Sequence, residues 1–597
     1  MVTDSISLIT KNLFLTSVLI LVGTACSSPS PQPKKVVEAE TIGDMLERKL
    51  VIDGRPTQQN QHSLFLDRTS DYGLDNIKAT QIYAVDFNLD GHQDLVLLPE
   101  HYSSPRFFEN KKGKFVELKY SPFPKLIRAQ AMVFVDLDRD GQKDLITYTL
   151  NQRTALNWDP IVVYRGAFAK GKLSYQIWPN AVSLSPDATS SVVPFDFDLD
   201  GNLDLYVGNW YDMRSNPPVN RPDRLLKGDG FRFFDNSALL ADEHHFKRDI
   251  KLFDNARPTM AVSLCDVDQN GRPDILTSSS GGYFNKMWLN LKKGQQWLMQ
   301  DYSEKVGFAH DPDGVGPLSG GNSFYASCTD YNNDSIMDIA VGELFHSYES
   351  EKVDRSAILT GSSLTFPPAF IRNEYINDDG SGRWTQADRR GTFADLNNDG
   401  LIDLIIDNSG YSPKTRLVVF RQHPDHSYED VALDWGVDVM NPSGTIMIDV
   451  DGDGDLDLLV GQNSIRDSKI ENHLTLFENQ TDSKVKSLSI KLHGQRSNRD
   501  GIGAKIDVYS GNQIQRRIHQ LWSGPLSSQS ENKSFFGLGN DNVKKIIVTW
   551  PITKSKDDEK NLVVTYDLSR ARLKARSVIT LCESGQWHRG LAPCSNK

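Results

Sequence analysis

Cysteine is scarce in this chain, five among 597 residues, which argues against a fold held together by a disulfide framework. Cys582 and Cys594 could close a small loop near the C-terminal end. Cys265 and Cys328 stand one and two residues before the first Asp of a repeated loop, so strand alternation would turn them to opposite sides of their strands. They read as two small buried thiols. A basic excess is also missing: 66 Lys and Arg face 78 Asp and Glu, a formal net charge of −12. That argues against nucleic acid, which needs a cationic footprint. Catalytic signatures are missing too, with no His-Glu-x-x-His, Gly-x-Ser-x-Gly or Cys-x-x-Cys-His, and no phosphate-cradling glycine loop with lysine. The one dense titratable cluster outside the loops, Asp242-Glu243-His244-His245, has two histidines but no third ligand at a zinc spacing, and is not read as a site. The apolar run from Leu13 to Val22 is too short for a convincing membrane-spanning helix.

What the chain has in abundance is one acidic pattern. In Asp449-Val450-Asp451-Gly452-Asp453-Gly454-Asp455-Leu456-Asp457, carboxylates stand at positions 1, 3, 5 and 9 with glycine at 6. A short segment can wrap oxygens around a hard cation only if it turns sharply, and Gly at the sixth position permits that turn. Six earlier copies share the frame: Asp86, Asn88, Asp90, Gly91, Asp94; Asp136, Asp138, Asp140, Gly141, Asp144; Asp196, Asp198, Asp200, Gly201, Asp204; Asp266, Asp268, Asn270, Gly271, Asp274; Asp330, Asn332, Asp334, Ser335, Asp338; and Asp395, Asn397, Asp399, Gly400, Asp403. One copy would be an ordinary turn, since Asp, Asn and Gly are turn residues; seven in register are not. Up to seven calcium ions are expected, the fifth site being the weakest because Ser335 replaces the glycine. Seven divalent ions would more than offset the net charge of −12, so the acidity reads as metal sites and not as a docking surface.

Each loop lies between two apolar segments, as in Thr445 to Ile448 and Leu458 to Val460, and so connects two strands. A second pair of strands follows in several intervals, for example Arg106 to Asn110 with Gly113 to Glu117, and Met287 to Asn290 with Trp297 to Asp301. Loop spacings of 50 to 70 residues suit four-stranded propeller blades. After the seventh loop only Leu474 to Asn479 remains, and Ser63 to Thr69 supplies the missing strand and closes the ring, which removes exposed edges. The fold expected is all-β, a seven-bladed β-propeller with calcium loops followed by a small β-rich domain.

These repeats resemble the FG-GAP and VCBS repeats of propellers of the integrin alpha-subunit type, over residues 63–480. Beyond them, Asn498-Arg499-Asp500-Gly501-Ile502-Gly503-Ala504 and Phe536-Gly537-Leu538-Gly539 are similar to the ASPIC/UnbV domain of the cartilage acidic protein family and its bacterial relatives. This domain is placed at residues 484–555. The segment 556–597, with basic residues at Arg570, Arg572, Lys574 and Arg576, reads as a tail that forms a solvated strand and not a binding site. The resemblance implies calcium loops on one face and assigns no chemistry to the C-terminal domain.

At the other end, Lys11, the apolar run and the small residues Gly23-Thr24-Ala25 have the layout of an export signal, residues 1–25. Cys26 directly after them resembles a bacterial lipobox and is the expected lipidation site, with simple secretion as the alternative. Residues 26–62 form a tether and linker, with one possible short helix from Thr41 to Leu50. The expected function is an extracytoplasmic binding or adhesion module for a protein or glycan, touching the membrane only through the lipid on Cys26. Inserts such as Asn209 to Pro222 and His310 to Asn322 would be its contact loops. The alternative is an extracytoplasmic propeller enzyme, of lyase or oxidoreductase type, on a carbohydrate-like substrate. Clustered His, Arg, Tyr and Lys at the axial mouth would favour that alternative.

Overall fold

In the computed structural model, the described residues are 56, 63–150, 160–184, 187–213, 216–240, 256–294, 296–311, 321–344, 354–375, 387–412, 414–555, 560–591 and 594. The expected export signal, Cys26, the helix from Thr41 to Leu50, the Asp242 to His245 cluster and most of the His310 to Asn322 insert lie outside them. No described helix is long and apolar enough to cross a membrane.

Described residues are almost entirely strand and turn. Between Phe65 and Asn479 they form four-stranded antiparallel sheets, one for each of the seven acidic loops. Each loop joins the first strand of its sheet to the second, as between Thr259–Cys265 and Asp274–Ser279. First and second strands are buried on both faces, whereas outer strands such as Phe115–Glu117 are buried at one residue in three. Sheets stacked on each side bury the inner strands, which is why those segments read as apolar runs and not as an alternating pattern.

Successive sheets touch around a closed ring. Met132 N donates to Tyr83 Oη (3.0 Å), and Ser190 Oγ to Thr259 O (2.6 Å). Thr445 Oγ1 donates to Asp407 Oδ1 (2.5 Å), and Ser443 Oγ to Thr80 O (2.9 Å), the last contact joining the final sheet to the first. The final sheet takes its outer strand from the other end of the repeat region: Phe65–Asp67 pairs antiparallel with Leu474–Asn479.

Between the fourth and fifth sheets, Cys265 and Cys328 form a disulfide, so the reading of two free thiols is corrected. The two do face opposite sides of their own strands. In a ring, however, the opposite faces of neighbouring sheets look at each other, so that orientation brings the sulfurs together. Cys582 and Cys594 form a second disulfide.

The C-terminal region consists of two four-stranded sheets. One orders Ser534–Gly539, Lys486–His493, Arg576–Cys582 and Trp587–Arg589; the other orders Gln513–Ile518, Lys505–Ser510, Val543–Thr553 and Asn561–Asp567. They share a core that includes Leu488, Ile490, Val508, Val548, Trp550 and Ile579. The expectation of a strand in the tail is met, and the reading of it as solvated is corrected. Residues from 561 onward contribute three strands, and Arg576–Cys582 pairs in parallel with Lys486–His493 at the centre of its sheet.

Candidate metal centres and the covered face

The acidic loops share one backbone conformation. Position 4 is left-handed in every copy, at Leu89, Arg139, Leu199, Gln269, Asn333, Asn398 and Gly452. Position 6 is left-handed as well, and Ser335 adopts it at φ 70° without the freedom of glycine. The position-1 carboxylate accepts the N–H of position 6: Gly141 to Asp136 at 2.9 Å, Gly201 to Asp196 at 2.7 Å and Gly400 to Asp395 at 2.8 Å.

Position 9 has a separate task, which the sequence pattern did not disclose. In all seven loops one oxygen of this Asp accepts the N–H of position 2, and the other accepts an N–H from the sheet's third strand. For Asp274 the donors are Val267 N at 2.8 Å and Asn290 N at 2.7 Å; for Asp457 they are Val450 N and Asn479 N, both at 2.8 Å. Asp94, Asp144, Asp204, Asp338 and Asp403 repeat the pattern. Each is a buried clamp that ties loop to sheet, with a lone pair left on each oxygen for a cation.

Carboxylates of positions 1, 3 and 9 converge in the second, third and fourth loops, and those of positions 1, 3 and 5 in the seventh, with one oxygen per residue inside 4.8 Å. The first, fifth and sixth loops have Asn at position 3, and its amide donates to the position-5 Asp at 2.9 to 3.1 Å. Asp136 Oδ1, Asp198 Oδ1 and Asp449 Oδ1 are buried without a hydrogen-bond partner. Burial is the main cause that raises the loop carboxyls: Asp94 and Asp338 are pushed up to about 8, Asp136, Asp330 and Asp395 to about 7, and Asp449 to about 6. Oxygen-only donors, orphaned acceptors and crowded like charge fit a hard divalent cation. Bound there, an ion would neutralise the loop.

The C-terminal domain lies on these loops and touches all seven. Lys505 Nζ is 2.9 Å from Asp266 Oδ2, and Arg499 Nε is 3.6 Å from Asp136 Oδ2. Arg516 Nη1 donates to Ser335 O (2.5 Å), and Gly539 N to Asn398 O (2.8 Å). Lys491 lies near Asp86, where it draws that carboxyl down against burial. Arg496 O presses on Gly201 so closely that a Cβ there would collide, and a Cβ at Gly537 would strike Asp395 Oδ2. Contact with the loops therefore explains the glycine of the Phe-Gly-Leu-Gly motif. At the seventh loop Arg576 Nη1 lies 2.5 Å from Asp453 Oδ2 and 3.0 Å from Asp455 Oδ2. Arg576 is thus a loop partner and not a solvated tail residue.

Asp500, from the other motif, is ion-paired to Lys143, and Asn532 Nδ2 donates to it at 2.8 Å. Burial alone would raise its carboxyl, but Lys143 holds it below the usual range. None of these cations was legible as a loop partner, because each is distant in sequence. Only the surplus Asp455 at position 7 hinted that the seventh loop differs.

From this domain a hairpin runs down the axis of the ring. Trp522–Ser523 pairs with Ser528–Gln529, which in turn adds in parallel to Gln81–Val85, so the first sheet has six strands. Its depth can be followed by partner. Gln520 Oε1 accepts Leu264 N (3.0 Å) and Gln529 Oε1 accepts Phe134 N (3.0 Å), both near the loop ends of their strands. Ser528 Oγ accepts Ile82 N (3.2 Å) and Leu526 N donates to Ser190 O (2.9 Å), both at the opposite ends. Arg390 Nη2 meets Pro525 O at 2.9 Å and Leu526 O at 3.0 Å. The hairpin thus reaches from the loop face to the opposite face, and a cavity remains beside it, lined by Ser263, Ala326, Gly391, Met447, Leu521 and Trp522.

A ring of antiparallel four-stranded sheets with a loop array on one face defines a β-propeller. Comparison with known families agrees: the profile described as FG-GAP-like repeat matches residues 86–147 and 395–460, and that described as ASPIC and UnbV matches 494–569. The described residues form a β-propeller that contains FG-GAP-like repeats and is followed by an ASPIC and UnbV domain. Among curated proteins it is 23% identical over 294 residues to a T-cell immunomodulatory protein homolog of Plasmodium falciparum (isolate 3D7), an alignment that spans 47% of this chain and 37% of that protein. Among solved structures it is similar to BBS1N in complex with ARL6DN, with TM-score 0.36, 10% identity and coverage of 70% of this chain and 98% of that one. It is also similar to the Chaetomium thermophilum Nup170 NTD-Nup53 complex, with TM-score 0.35, 8% identity and coverage of 72% and 64%.

Proposed function

We propose that this protein is an exported, calcium-binding recognition module, which presents the propeller face opposite the C-terminal domain to a protein or glycan outside the cell. The observation that carries the reading is the division of the two faces. One face holds the acidic loops beneath the C-terminal domain, so ions there would act on stability and domain docking, and not on an outside ligand. On the other face the connections are long, and the insert after Asn209 forms its own small hairpin, Tyr211–Asp212 with Val219–Asn220. Rigid scaffolds display such loops for recognition. Lipidation at Cys26 would hold the module at a membrane.

The test is a thermal melt of the mature chain with calcium and with chelator, together with a count of bound metal. A chelator-induced drop with several calcium ions per chain supports the reading; no shift and no bound ion refutes its metal component. A catalytic reading is favoured by one observation, the gathering of Arg389, Arg466 and Tyr411 at the axial mouth. Turnover of a carbohydrate substrate, lost on substitution of these residues, would replace recognition by catalysis.

A further inference from the structure

First strands of the sheets begin on the face away from the acidic loops, and their opening residues ring the axial mouth. Arg389, Phe324 and Met260 are the second residues of Asp388–Ala394, Ser323–Thr329 and Thr259–Cys265. Met260, Phe324, Leu344 and Ala387 form a small apolar cluster, against which Trp210 and Tyr411 pack while partly exposed. Trp210 is fixed at its edge, its Nε1–H donating to Ser280 Oγ (2.7 Å), and it meets the Tyr211 ring at 5.1 Å. These are held aromatic surfaces, not loose side chains.

Over them lie guanidinium groups. Arg389 sits 5.3 Å from the Phe324 ring centre, and Arg466 4.5 Å from that of Tyr411. Arg389 donates Nε–H to Ser409 O (2.9 Å). Its Nη2 lies 3.0 Å from where a Cβ at Gly410 would stand, so glycine there leaves it room. Among the described residues no carboxylate lies within 4 Å of Arg389, whereas Arg106, Arg165, Arg390 and Arg416 each have one. Burial, with Arg466 and Arg390 nearby, pushes the Arg389 group down to about 10, so it remains charged near neutrality. The floor is the hairpin tip, where Leu526 is partly exposed and Arg390 grips the backbone beneath it.

We propose that this mouth is a blind cup for an anionic saccharide, its carboxylate or sulfate on Arg389, beside Arg466, and a sugar ring against Trp210. A guanidinium fork suits planar and tetrahedral oxyanions. Aromatic faces take the apolar side of a ring, and a concave site with a few fixed polar groups gives orientation. Arg389, with no carboxylate within 4 Å among the described residues, favours anions at the mouth. The inference deepens the recognition reading and rests on it.

The experiment is titration of the mature chain, at fixed calcium, with tri-galacturonate, a chondroitin-sulfate tetrasaccharide and a neutral cellotriose. Binding of a charged probe at least tenfold tighter than the neutral one, weakened tenfold or more in Arg389→Gln and in the exposed rim variant Arg466→Gln, is expected. Carboxylate and sulfate sources are told apart by which charged probe binds. Equal binding of neutral and charged probes, or unchanged binding by both variants, overturns the cup. So does the absence of binding by a protein that melts cooperatively. If a glycan or protein array yields a ligand insensitive to both variants, the cup fails and the recognition reading stands; an array without any ligand removes the recognition reading too.

Discussion

Substitution Asp274→Ala separates two tasks that a metal-loop pattern merges. If Asp274 serves only a bound ion, its loss should matter only when the ion is there. The geometry says otherwise: Asp274 accepts Val267 N at 2.8 Å and Asn290 N at 2.7 Å inside a fully buried site. Truncation leaves two buried backbone donors without partners, each at about 1–3 kcal/mol, so the chelated protein should lose ~2–6 kcal/mol. Asp268, at position 3 of the same loop, is half-buried and receives only Asn270, through its backbone N (3.1 Å) and side-chain amide (2.8 Å). Asp268→Ala should cost no more than about 1 kcal/mol in chelator. With calcium it should cost more, since the ion's linkage contribution is weakened. Urea unfolding of wild type and both variants, each with chelator and with calcium, measures this. Equal losses for the two variants in chelator, or an Asp274→Ala loss that vanishes in chelator, would refute the clamp.

Other outcomes follow from the same loops. Ser335→Gly should stabilise the protein by about 1 kcal/mol, because serine holds φ 70° there at a steric cost that glycine avoids; a lower melting temperature would contradict this. In chelator the protein should lose stability as pH rises from about 4 to 8. Asp94, Asp136 and Asp338 keep protons in the folded state up to about 7 or 8 that the unfolded chain has released, so the folded state binds more protons across that window. Calcium should flatten this slope and release protons on binding, which melts at pH 5 and pH 8 and unbuffered titration would show. Arg576→Met strands the buried Asp455 without its cation. It should destabilise the chelated protein by about 3 kcal/mol, with partial rescue by calcium; a chelator-independent loss would place the role of Arg576 elsewhere.

Much of the propeller was legible because the pattern is local. A nine-residue loop states its turn, its flanking strands and its repeat within one window, and the sheets fall where those windows put them. What was not legible is what depends on distant partners. The spacing marked Asp274 and its equivalents as ligands; that each also clamps two backbone donors, one of them on another strand, depends on a partner outside the loop. Cys265 and Cys328 were oriented correctly on their own strands, but pairing depends on the neighbouring sheet. Residues 519–534 carry no periodic signal: their polar side chains bond to inner strands hundreds of residues earlier. The basic residues of the C-terminal domain look like a solvated surface until the loops they neutralise are placed beneath them.

The axial hairpin also bears on how the molecule carries mechanical load. Phe65–Asp67 and Leu474–Asn479 run antiparallel, and the chain enters one beside the point where it leaves the other, with Gln480 N donating to Leu64 O at 2.8 Å. Tension between those two exits would peel the pair open bond by bond, the weaker way to load a strand pair. The hairpin and the loop contacts offer a second route. A pull on the C-terminal domain reaches the inner strands of several sheets at once, so the ring bears it at the hub and the three-residue seam is relieved.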